Sequence, residues 1–200
     1  TDESVSALTD GISVSRFYEL AGKKAGDEQS RNFDSFERFF IDIRKSDNSD
    51  VDAMKRITER LVGSNSQFFK LISSQYTVKT LLEIKDRLIG SGKIGGKAIG
   101  MLLARRIIQN AMSDKMHFLE PHDSYFIGSD VFYTYLVHNN LWKLRVVQKT
   151  HSGYFEKARE LQDGILKGIF PETIREQFIR TLEYFGQSPI IVRSSSLLED

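Results

Sequence analysis

The stretch Gly90-Ser91-Gly92-Lys93-Ile94-Gly95-Gly96-Lys97-Ala98-Ile99-Gly100 constrains this chain more than any other: five glycines and two lysines fall within eleven residues. Glycine loses more backbone freedom on ordering than any other residue, so a cluster of it marks unusual dihedrals or the close approach of a partner. Lysines in such a loop can meet phosphate oxygens as point charges. A run predicted to be helical over Ile99–Met112 follows at once. A glycine loop feeding a helix start offers free N–H groups and the positive end of the helix dipole to an anion.

Two phosphate motifs can be tried on this stretch. A P-loop, G-x-x-x-x-G-K-[ST], fails at both ends, because Ser91 stands at its first position and Ala98 at its last; no hydroxyl is available there for magnesium. The pattern G-x-G-x-x-G is met by Gly90, Gly92 and Gly95, but a dinucleotide fold needs a strand before it. Val78, Leu81, Leu82, Leu88 and Ile89 recur at helical spacing, which predicts a helix from Thr77 to about Ile89 and argues against that fold. A surface loop between two helices and an anion-binding loop both remain open.

The helix after the loop carries Ile99, Met101, Leu102, Leu103, Ala104, Ile107, Ile108, Ala111 and Met112, with a polar arc of only Arg105, Arg106, Gln109 and Asn110. A helix this apolar is predicted to pack inside a domain, and a loop held by it would be rigid enough to position a ligand. Before it, the pattern is helical. Residues 1–15 are small and polar, and Arg16–Ala25 predicts a short helix. Phe33, Phe36, Phe40 and Ile43, with Phe39 beside them, predict a helix over Ser30–Lys45. Asp50 is a natural N-cap for a helix lined by Met54, Ile57 and Leu61 and ended near Gly63. Phe68, Phe69, Leu71 and Ile72 make another short apolar helix or turn. An aromatic stripe of this kind is core packing rather than a ligand box.

Downstream, Tyr125-Phe126-Ile127-Gly128 reads as a short buried strand, and Ser129 or Asp130 caps a helix bearing Val131, Tyr135 and Leu136. Tyr154, Ala158, Leu161 and Ile165 form the next stripe; Pro171 opens and Gly186 closes the last helix. Pro189-Ile190-Ile191-Val192 predicts a strand sharing a sheet with the first, and it runs into Arg193-Ser194-Ser195-Ser196. The expected class is therefore α/β (α+β): a helical region over residues 1–76, then an α/β unit over 77–200 with an incomplete sheet.

Two hundred residues allow one domain, or one with an appendage. A net charge of +1 gives no global pull toward nucleic acid or anionic membrane, and no apolar run approaches a membrane span or forms a signal segment. The chain has no cysteine, which excludes thiolate metal sites and fits a reducing, cytoplasmic setting. His117, His122, His138 and His151 have no partner histidine at i+3 or i+4, so no metal site is expected. The start at Thr1 and the end at Asp200 suggest a piece of something longer. Arg193 with its serines, at the end of an apolar run, offers guanidinium, hydroxyls and amides suited to a polyphosphate; a solvated turn with Arg193 paired to Glu199 or Asp200 is the alternative.

Taken together, Gly95-Gly96-Lys97-Ala98 before an apolar helix and Pro189-Ile190-Ile191-Val192-Arg193-Ser194-Ser195-Ser196 with Glu199-Asp200 behind it resemble the N-terminal nucleotide-binding domain of phosphoenolpyruvate synthase and pyruvate phosphate dikinase. Tyr125–Phe132 is similar to the strand and helix between those motifs. The resemblance covers Gly90 to Asp200 and implies an ATP-grasp-like lobe that binds ATP with Mg2+. It further implies phosphoryl transfer to a histidine on a separate swivelling domain and then to pyruvate on a third; both domains would be partners beyond this stretch. Lys97 and Arg193 match the motif residues that contact ATP phosphates, with Gly95, Gly96, Ser194 and Ser195 around them. No catalytic residue or metal ligand is expected within the 200 residues, because the resemblance puts the metal-holding acids after Asp200. Alone, this stretch is expected to transfer no phosphoryl group and to bind ATP at about millimolar strength or weaker. Two rivals remain: the same ATP domain serving another acceptor, such as an antibiotic or a glucan, and a helical interaction module without chemistry.

Overall fold

Phenylalanines three and four residues apart organise the first part of the molecule. The structure, a computed structural model, describes residues 25–45, 47, 50–64, 66–112, 117–118 and 123–195. The short helix predicted from Arg16, His122 and the segment from Ser196 onward lie outside the described residues. The elements are α1 Ala25–Arg44, α2 Val51–Leu61, α3 Ser66–Gln75, α4 Val78–Lys85, β1 Leu88–Ile89, α5 Gly96–Ala111, β2 Phe126–Ile127, α6 Ser129–His138, α7 Trp142–Gln148, α8 Gly153–Glu156, α9 Ala158–Lys167 and α10 Glu172–Phe185. They fall into two compact units. Of the described residues, one holds those within 32–129 and 189–195; the other holds 130–188 together with 25–31.

In the unit with the glycine loop, Phe36, Phe40 and Ile43 of α1 pack on Ala53, Met54, Ile57 and Leu61 of α2. Ile72, Tyr76, Val78, Leu81 and Leu103 close the same core. Phe36 and Phe40 meet edge to face at 4.8 Å between ring centres, a geometry that aligns ring edge with ring face. Two caps here are those the sequence predicts. Asp50 accepts from the Asp52 and Ala53 amides, and Thr77 forms a reciprocal capping box with Thr80. Gly63 takes φ of +134°, a conformation an L side chain rarely adopts, just past the end of α2.

The sheet departs from expectation in two ways. Helix α4 stops at Lys85, and Leu88–Ile89 is a strand rather than helix, paired in parallel with Phe126–Ile127 (Leu88 opposite Phe126, Ile89 opposite Ile127). Three apolar positions of α4 satisfied helical spacing, and the two strand residues extended the period by coincidence. The strand that the glycine pattern was held to lack is therefore present. The β1–loop–α5–β2 order is a βαβ unit, which parallel pairing requires. In contrast, Ile190–Val192 joins no strand; Ile191 and Val192 are 80% and 82% exposed. A strand of this composition is stable only with a neighbour to complete its ladder, and among the described residues none lies beside it. The fold is thus mostly helical with a two-stranded parallel sheet, an α/β arrangement in this unit.

Helix α5 is also less enclosed than its composition predicts. Ile99 and Leu103 are buried, while Met101, Ile107, Ile108 and Met112 are exposed. Asn110 ties the end of the helix to α3, its Nδ2 donating to the Gln75 backbone and side-chain oxygens at 3.2 and 3.0 Å. The described elements cover only that side, so apolar character all round does not become burial all round.

The second unit is helical. Leu136, Trp142 and Leu161 form its core, with Tyr133, Leu141, Leu144 and Ile165 against them. Tyr135 donates to the Ile165 carbonyl at 2.6 Å. Ser129 is the first helical residue of α6 rather than its cap, and Pro171 caps α10 rather than opening it; Gly186, at φ +57°, ends α10 as expected.

Candidate functional site

The glycine loop is held at both ends and in its middle by backbone bonds. Strand β1 delivers the chain to Gly90, where φ is +85°, a turn that glycine makes without strain. The Ile94 amide donates to the Leu61 carbonyl at 2.8 Å. Ile94 itself is buried with Ile99 and Phe126, so loop, helix and β2 share one small core. Lys93 and Ser129 clasp each other: the Lys93 amide donates to Ser129 Oγ at 3.1 Å, and the Ser129 amide donates to the Lys93 carbonyl at 2.9 Å. In the sequence Ser129 reads as a helix cap; its bond across 36 positions leaves no sequence signal.

Helix α5 begins at Gly96, three residues earlier than the apolar pattern implied, with Gly95 as N-cap in extended conformation. Gly95 has no side chain to cap the helix, so the first-turn amides need an outside acceptor. Ser195 supplies one, because the Ala98 amide donates to Ser195 Oγ at 3.1 Å. The approach is close enough that a Cβ at Gly95 would run into the Ser195 carbonyl and hydroxyl. The two motifs are thus brought together: the residue after Lys97 is bonded to the second residue after Arg193. Lys97 stands exposed on the first turn of α5, and Arg193 and Ser194 are exposed on the docked segment. Gly95 is buried and Gly96 half-buried beneath them.

Other candidates are less suited to chemistry. Among the described residues, no group of three or more His, Asp or Glu side chains could hold a metal ion. His117 stacks on Phe118, and His138 and His151 are exposed. No helix among the described residues is long and apolar enough to cross a membrane.

A strand, a glycine–lysine turn, a helix start and a docked basic segment together make an arrangement suited to nucleotide phosphates. Residues 91–200 match the family described as pyruvate phosphate dikinase, AMP/ATP-binding domain, and the chain belongs to that family. The match spans more than half of the chain and contains both motifs. It gives the chain a nucleotide-binding domain of kinase and phosphotransferase type, with ATP as the ligand the family implies. No curated protein and no solved structure matched the chain.

Proposed function

We propose that this chain is the ATP-binding, ATP-grasp-like part of a phosphotransferase of the phosphoenolpyruvate synthase and pyruvate phosphate dikinase type. Lys97 and Arg193 grip the phosphates of one ATP, their charged tips facing one cleft about 10 Å apart or less, the span of a triphosphate held at two points. Gly95, Gly96, Ser194 and Ser195 belong to the same site and surround the two cations. Residues 77–200 form part of the nucleotide domain, residues 1–76 an added helical region, and the setting is cytoplasmic. A P–O bond of ATP breaks, its electron pair leaving on the departing nucleotide product, as a P–N bond forms to a histidine on a further domain; that P–N bond then breaks as a P–O bond forms to the enol oxygen of pyruvate, which frees the histidine. The work of Lys97 and Arg193 is to neutralise and position charge, which is most of what phosphoryl transfer asks of a protein. Among the described residues no group of three or more His, Asp or Glu side chains could hold a metal ion; the Mg2+ that accompanies ATP would be held by acids in further parts of the protein and would neutralise phosphate charge.

The observation that carries the proposal is the Ala98–Ser195 bond, which joins two motifs that sequence separates by nearly a hundred residues. The test is labelling of the full-length protein with radiolabelled ATP, beside Lys97→Ala and Arg193→Ala. Acid-labile label on a histidine, reduced about 10²-fold or more in rate by either variant, is expected from the loss of one charge-stabilising contact. Wild-type labelling rates in both variants would remove the two residues from the site.

A further inference from the structure

We infer that Ser195 and Gly95 are positioning residues, forming a seat that holds Arg193 at the start of α5, rather than groups that themselves touch the nucleotide. The inference rests on the ATP reading and deepens it.

Three observations converge on the seat. The Ser195 hydroxyl is already engaged as acceptor for the Ala98 amide at 3.1 Å. That amide belongs to the third residue of α5, where a capping side chain normally bonds, so Ser195 does from a distant segment what Gly95 cannot do locally. Gly95 is buried, and a Cβ there would collide with the Ser195 carbonyl oxygen, carbonyl carbon and Oγ together. Two of these are backbone atoms that cannot rotate aside, so the hydrogen-only side chain is what admits the segment. Ser195 is half-buried, whereas Arg193, two residues before it, is exposed. The segment from Pro189 has no ladder partner among the described residues, and Ile190, Ile191 and Val192 are exposed. Among the described residues of the segment, Ser195 is where it meets the start of α5, and Arg193 lies two residues from that bond and the contact beneath it.

The consequence is energetic coupling. An arginine grips a phosphate well only when its backbone is held in advance; otherwise binding must first order the segment. Removing the Ser195 hydroxyl should weaken ATP binding by releasing Arg193, and removing Arg193 as well should then cost little more. If Ser195 Oγ instead blocked the helix start against phosphate, its removal would tighten binding.

The experiment combines amide hydrogen exchange with ATP titration on the full-length protein, using Ser195→Ala, Gly95→Ala, Arg193→Ala and the Ser195→Ala/Arg193→Ala double variant. Ser195→Ala removes only an oxygen and is expected to keep the fold, so it carries the test should Gly95→Ala fail to fold. Faster exchange at the Ala98 amide without nucleotide is expected in Ser195→Ala. ATP affinity should fall about fivefold, the equivalent of a lost helix cap. In the double variant the two losses should be clearly less than multiplicative. Unchanged exchange at Ala98, fully multiplicative losses, or tighter ATP binding in Ser195→Ala would each overturn the seat. Faster exchange at the Ala98 amide in Ser195→Ala, together with a wild-type protein that binds no ATP, would overturn the ATP reading and uphold the seat as a structural attachment.

Discussion

The Ala98 amide and the Ser195 hydroxyl lie 3.1 Å apart although 97 positions separate them in sequence. Through that bond a helix start bearing Lys97 and a segment bearing Arg193 share one end of the βαβ unit. If both cations meet the phosphates, recognition is carried mostly by charge. Inorganic tripolyphosphate should then compete with ATP, and ATP affinity should fall steadily as salt rises, since exposed charge pairs are screened. Competition titrations at low and high ionic strength measure this; salt-independent affinity would point to recognition of the base instead.

A second expectation concerns the ion pair between α1 and α4. Lys85 is buried, with Nζ 2.9 Å from both carboxylate oxygens of Glu37, and its side chain is 10% exposed against 34% for Glu37. The ammonium also lies 5.8 and 5.4 Å from the ring centres of Phe36 and Phe40. Glu37→Ala would leave the buried cation without its close partner, the half-exposed Asp86 carboxylate standing 3.9 Å away. Fully buried pairs lose about 3–5 kcal/mol on such a change, and the partial exposure of Glu37 should lower this to about 2–3 kcal/mol. Replacing both partners by apolar residues, Glu37→Leu with Lys85→Met, should recover much of the loss. Denaturant melts of the three variants decide it.

The helix caps predict smaller effects. Asp50→Ala removes the acceptor for two first-turn amides of α2 and should cost about 1 kcal/mol in the same melts. Asp50→Asn, which keeps an acceptor oxygen, should cost much less.

Stability should decline at alkaline pH through Tyr76. Burial raises its pKa above the ordinary 10.0, with Arg106 opposing the shift. A raised folded-state value means the neutral phenol is the form the fold prefers. Its stabilising contribution is whole below about pH 10 and is lost as pH climbs from there through the raised value. Tyr76→Phe should flatten this alkaline limb of the stability profile, measured by thermal melts across the range. Tyr133, raised for the same reason, should act likewise in the other unit.

The sequence made visible what depends on local periodicity and local chemistry. The Phe36–Phe40–Ile43 stripe, the Asp50 and Thr77 caps and the Gly186 stop are all decided within one or two helical turns. Leu88 and Ile89 read as helix in the sequence because two residues cannot declare a period; their strand exists only through Phe126 and Ile127. The exposed face of α5 and the unpaired Ile190–Val192 failed for a related reason: composition says what a segment could bury, not whether a neighbour is there to cover it. The glycine–lysine turn and the Arg193 segment were both legible as motifs. The bond between them, and the collision that makes Gly95 necessary, are facts of three dimensions that neither motif states.

The most direct test of the account is a nuclear magnetic resonance titration of ATP into the 200-residue chain, following backbone amides to millimolar nucleotide. The account predicts progressive, saturable shifts that concentrate at residues 95–98 and 193–195 and vanish in Lys97→Ala/Arg193→Ala. Shifts centred elsewhere, or shifts at these positions that persist in the double variant, would contradict it.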